Sequence, residues 1–169
     1  MRKSVTLLLA FLIVAVTLIL ILAIFAHIYR FPATNYTFLG STHSLTHWFG
    51  WIGTIYIFIA TPAQPIIKRL AQKYYKAMLN IHMFGNLLAV MFISIHFAQQ
   101  VTRPPNAFPE LGTGVVLYAS MILLVATGLV RYSGVLRSYW RQGNFLHASL
   151  AITFYLVIIV HILHGISII

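Results

Sequence analysis

His82-Met83-Phe84-Gly85-Asn86-Leu87-Leu88-Ala89-Val90-Met91-Phe92-Ile93-Ser94-Ile95-His96 is an uncharged, mostly apolar run closed at each end by a histidine. A second run, from His147 to His161, is built the same way, and in each the two histidines stand fourteen residues apart. At about 100° per residue, fourteen steps fall about 40° short of four full turns. On a helix the two histidines of each run therefore share one face, with a rise of about 21 Å between them. That distance lies within a bilayer hydrocarbon core of about 30 Å.

The surrounding chain fits that setting. Its 169 residues are 60% hydrophobic and 7% charged, with a mean hydropathy of +0.91, where soluble domains carry about 25% charged residues. A membrane helix needs about 20 mostly apolar residues, and five runs bounded by charge, proline or glycine qualify: 5–29, 43–60, 77–99, 113–130 and 145–168. The second ends at Thr61-Pro62-Ala63-Gln64-Pro65, whose prolines cannot donate backbone hydrogen bonds. Met1-Arg2-Lys3-Ser4 opens the chain like a signal peptide, but the apolar core behind it exceeds the usual 7–15 residues, so it reads as a retained anchor. No stretch is polar and long enough for a soluble domain, and neither G-x-G-x-x-G nor G-K-[ST] occurs. The expectation is an all-α integral membrane protein with one membrane domain, 1–169.

Eleven Lys and Arg stand against a single acidic residue, Glu110, for a net charge of +10. One carboxylate excludes paired-carboxylate hydrolysis and carboxylate-rich metal cages. The absence of cysteine excludes disulfides, thiolate zinc sites, iron–sulfur clusters and covalently attached haem. Nucleic acid is not implied, because excess Lys and Arg in a membrane protein collects in cytoplasmic loops. If each run crosses once, one side holds Arg2, Lys3, Lys68, Arg69, Lys73, Lys76, Arg131, Arg137 and Arg141, and the other only Arg30 and Arg103. The expected orientation is N-terminus cytoplasmic and C-terminus outside, in a prokaryotic plasma membrane.

Ionisable groups inside a bilayer are costly and point to function. The third and fifth runs are separated by one crossing, so they run in the same direction and equal spacing gives matched depths. His82 then lies level with His147, and His96 with His161. Two opposed imidazoles at one level are what a six-coordinate haem iron takes, so two levels read as two stacked b-type haems. Zinc and copper prefer three or four clustered ligands, which neither level supplies.

The stretches from His82-Met83-Phe84-Gly85 to Ile95-His96 and from Phe145-Leu146-His147 to His161-Ile162-Leu163-His164 resemble the two-haem, four-histidine membrane cytochromes b. That group includes cytochrome b subunits of respiratory oxidoreductases and the transmembrane domain of ferric reductases and NADPH oxidases. The likeness spans about His43 to the carboxyl terminus and implies a haem-binding four-helix bundle, with the first helix outside it. It also implies that Gly85 lets a porphyrin lie against its helix, and Ala126-Thr127-Gly128 looks like a stretch common on the intervening helix. The chain lacks the second half of the bc type and the flavin domain of the oxidase type.

Haem propionates call for cationic or neutral donors. Arg131, Arg141 and Lys76 are the inner candidates, with Tyr75, Tyr132 and Trp140 near them in sequence, and Arg103 and Arg30 the outer ones. Their other role is orientation and contact with lipid phosphate. His164, three residues past His161, is an alternative axial ligand. His27, His43 and His47 sit at the outer boundary, suited to the wet interface, to proton exchange with a quinol or to a metal. The reading is an electron-transfer subunit working between a quinone or a docked flavin, iron–sulfur or cytochrome c protein and a partner on the other face, with a quinone as a further candidate ligand. The alternatives are a ferric-reductase-like enzyme fed by a cytoplasmic flavoprotein, and a non-redox histidine-based proton or metal transporter.

Overall fold

The computed structural model describes residues 3–31, 34–38, 41–104, 112–135 and 137–165. Five helices carry the chain: α1 (Lys3–Phe25), α2 (Leu45–Leu70), α3 (Tyr75–Val101), α4 (Gly112–Ser133) and α5 (Trp140–Gly165). All five are long and apolar enough to cross a membrane. Arg2, Glu110 and positions 166–168 of the expected fifth helix lie outside the described residues. Short 3-10 turns at Gln72–Tyr74 and Arg137–Tyr139 lead into α3 and α5.

Three boundaries differ most from those expected. The first helix stops at Phe25, not at 29, because His27 takes a left-handed backbone (φ 56°) and the N–H of Ile28 returns to the carbonyl of Ala23 at 2.9 Å. That closure satisfies a carbonyl at the helix end. The second helix runs ten residues past its expected end, through Pro62 and Pro65. Each proline removes one donor, whereas a helix stopping at residue 60 would be only about 24 Å long, short of a hydrocarbon core of about 30 Å, and would leave its open carbonyls where no water reaches them. The fifth helix begins at Trp140, five residues early.

The all-helical expectation also omits a hairpin. Strands β1 (Asn35–Phe38) and β2 (Ser41–Ser44) pair antiparallel, with Tyr36 opposite His43 and Thr37 opposite Thr42. This segment is rich in Thr, Ser and aromatic residues, which favour a pleated backbone over a helix. The Thr37 and Thr42 hydroxyls meet at 2.8 Å, and the indole N–H of Trp48 donates to the Tyr36 carbonyl at 3.1 Å, tying hairpin to α2.

The elements group into two compact units, Met1–Pro109 and Glu110–Ile169. In the first, α2 and α1 both pack along α3. Ile24, Ile95 and Ala98 form a buried cluster, joined by Leu20, Ile21, Phe31, Phe49 and Met91. Gly53 sets how closely α2 approaches α3, since a Cβ there would lie 2.8 Å from the carbonyl oxygen of Ala89 and 2.9 Å from Ile93 Cγ1. A backbone oxygen cannot swing away, so Gly53→Ala is expected to cost about 1–3 kcal/mol by overpacking. A thermal unfolding midpoint in detergent equal to wild type would refute that tight contact.

In the second unit α4 lies along α5, with Leu117, Met121, Phe154 and Ile158 buried. Large apolar side chains elsewhere point outward, among them Leu8, Ile19, Ile59 and Phe145. Water would penalise that surface and lipid would not.

Candidate functional site

Three of the four spaced histidines, His96, His147 and His161, are held at Nδ1 by an oxygen of their own unit. On α3, His96 Nδ1 lies 3.1 Å from the backbone carbonyl of Thr46 in the first turn of α2. A carbonyl only accepts, so the His96 proton sits on Nδ1 and the ring lone pair on Nε2. The ring rests over Gly50, where a Cβ would come within 3.1 Å of Cγ.

On α5, His147 Nδ1 is 2.9 Å from Thr127 Oγ1. The Thr127 hydroxyl already donates to the Leu123 carbonyl at 2.8 Å, so towards the imidazole it accepts. Again Nδ1 carries the proton and Nε2 the lone pair. His161 Nδ1 meets Thr113 Oγ1 at 3.0 Å. A Cβ on Gly128 would lie 3.3 Å from His147 Cε1, and one on Gly114 3.5 Å from His161 Cε1. The pairs Thr113-Gly114 and Thr127-Gly128 are fourteen residues apart, as are the histidines they face. On antiparallel helices that match places the same hydroxyl and the same gap under both rings. A shallow apolar groove between α4 and α5 is lined by Gly112, Thr113, Val116, Leu156, Val157 and Val160, and so includes the threonine that meets His161.

His82 differs. Asn86 Nδ2 lies 3.3 Å from its Nδ1 and 3.5 Å from its Nε2, while Asn86 Oδ1 is buried and without a partner. The two ends of an amide are alike in shape. With the carbonyl end towards His82, Oδ1 accepts from the ring nitrogen that carries the proton.

No family model, curated protein or solved structure among those compared matches this chain. The site therefore rests on its own chemistry. Ligating histidines generally give their other N–H to a carbonyl or another oxygen acceptor, which fixes ring and tautomer, and the arrangement above is of that kind. Among the described residues no group of three or more His, Cys, Asp or Glu gathers to hold a metal ion. A haem iron asks less of the protein, one imidazole nitrogen on each axial face, and the glycine gaps beside His96, His147 and His161 suit it.

The other expected residues fall as follows. Gly85 lies beneath Tyr56, whose ring occupies the space a Cβ would need and whose hydroxyl donates to the Ile81 carbonyl at 2.7 Å. Arg131 stacks its guanidinium over the Trp140 ring at 5.4 Å. Arg141 and Arg103 are exposed. His161 is half-buried and His164 exposed. The His43 ring stacks on His47 at 4.8 Å, and His47 meets His96 edge-on at 4.9 Å. His27 Nδ1 accepts from Arg30 Nη2 at 3.3 Å. The sequence reading passed over Thr46, Gly50, Asn86, Thr113 and Gly114. The Thr-Gly pair repeated at the histidine interval was the available signal.

Proposed function

We propose that the protein is an integral membrane cytochrome that binds two b-type haems and carries electrons across the bilayer. In this reading His82 and His147 hold the inner haem and His96 and His161 the outer, a pairing set by their equal intervals in the sequence. The single observation that carries the proposal is that His147 and His161, one histidine interval apart, meet the same Thr-Gly pair through Nδ1, and His96 Nδ1 is likewise bound to an oxygen of a neighbouring helix. Haem supplies reversible one-electron chemistry at iron. The chain's part is to fix the rings, set their basicity through Nδ1 and surround them with apolar helix.

Lys and Arg in the segments before α3 and before α5 support an orientation with the N-terminus cytoplasmic. With no nucleotide motif in the chain, electrons enter from a quinone or a docked redox protein and leave to a partner at the other face. The test is a dithionite-reduced minus oxidised spectrum of purified protein, with a pyridine haemochrome assay. The expected result is about two haems b per chain with a low-spin α band. Protein made with ample haem yet free of it would discard the proposal.

A further inference from the structure

Four residues beyond His82 stands Asn86, and four beyond His96 stands Gln100. On α3 such a residue lies one turn further and about 40° round, so each amide shares its histidine's face. Both keep a buried polar atom without a partner, Oδ1 of Asn86 and Nε2 of Gln100. Gln100 is 9% exposed. A buried unpaired donor costs about 1–3 kcal/mol, and native chains keep few of them without reason. Gln99 Oε1 and Asn144 Oδ1 also lack partners, but neither stands four residues after one of the four spaced histidines.

An N–H donor needs an acceptor, and the arginine expected in that part, Arg103, is exposed beyond the end of α3. We infer that Gln100 Nε2 donates to a carboxylate of the group held at His96, which in the reading above, on which this inference rests, is a haem propionate. Asn86 does the same at His82. With its carbonyl end towards the His82 ring, its Nδ2 takes the place of the orphaned atom and becomes the donor. Neutral amides one turn from the axial ligands, and not arginines, then receive the propionates on α3.

The test uses purified haem-loaded protein and two readouts: the rate of haem transfer to apomyoglobin, and the propionate bending bands in the resonance Raman spectrum. Gln100→Leu is expected to speed the loss of one haem by about ten- to hundredfold, the effect of removing a hydrogen bond to a charged group. It should also shift that haem's propionate band while the other haem keeps wild-type behaviour, which shows that the variant is folded. Gln100→Glu, which sets a second carboxylate beside the first, should speed it further. Asn86→Leu should give the mirror result and serves if Gln100→Leu fails to assemble. Wild-type rates and bands in both leucine variants overturn the inference. Wild-type protein that takes up no haem overturns the proposed function along with it, and the same samples distinguish the two.

Discussion

Replacing His82 or His147 with alanine is expected to lower the haem content from about two to about one per chain, because a bis-histidine iron loses half of its axial ligation. His96→Ala and His161→Ala should remove the other haem. The four single variants then sort into two pairs, each pair sharing one residual spectrum and one residual midpoint potential, and the members of a pair come from different units of the fold. His164→Ala should leave both haems, since His164 is exposed while His161 is half-buried and tied to Thr113. Spectra that sort the variants by helix, His82 with His96 and His147 with His161, would break the pairing. Loss of one haem in His164→Ala but not in His161→Ala would move the ligand.

What the sequence made legible was periodic and local. Apolar runs located five helices because run length and hydropathy bear directly on whether a segment crosses a bilayer. The fourteen-residue interval placed each pair of histidines on one face because helix geometry is fixed. The misjudged boundaries are places where a local signal was outweighed. Pro62 and Pro65 spell an end, yet the helix loses less by crossing them than by leaving its open carbonyls short of the membrane boundary. His27 closes α1 through a backbone conformation that a histidine seldom takes. The hairpin at Asn35–Ser44 is short, and its pairing is a matter of register between strands that no window of hydropathy reads.

The supporting shell was harder to read for a different reason. A hydrogen bond from His96 to the Thr46 carbonyl joins residues fifty apart, and nothing in the type of residue 46 announces it, because any residue has a carbonyl. Thr127 stood out within its Ala-Thr-Gly stretch, but its role follows only from the bond to Leu123, which consumes its proton and leaves it an acceptor. Gly85 shows the converse: a small residue was legible, whereas the Tyr56 ring that takes up its space was not. Gln100, uncharged, carried no signal in a search for cations.

Gly128→Leu is expected to remove the same haem as His147→Ala while leaving every ligand in place. A Cβ at 128 already lies 3.3 Å from His147 Cε1, and leucine adds three carbons beyond it. The ring has little room to yield, because its Nδ1 is held at 2.9 Å by the adjoining residue, Thr127. To escape the new side chain it must give up that bond or turn its Nε2 away, and an axial ligand works only within about 0.5 Å of its geometry. Losing the second hydrogen bond alone costs a metal site about ten- to hundredfold in affinity, and misdirecting the donor nitrogen costs more. Gly114 has slightly more space, 3.5 Å to His161 Cε1, so Gly114→Ala should bind both haems and Gly114→Leu only one. The haemochrome count decides it, with far-UV circular dichroism to show that helix content is unchanged. A Gly128→Leu protein that keeps two haems would mean that the imidazole does not lie over this glycine when the haem is bound, and the Thr-Gly repeat would then serve only the packing of α4 on α5.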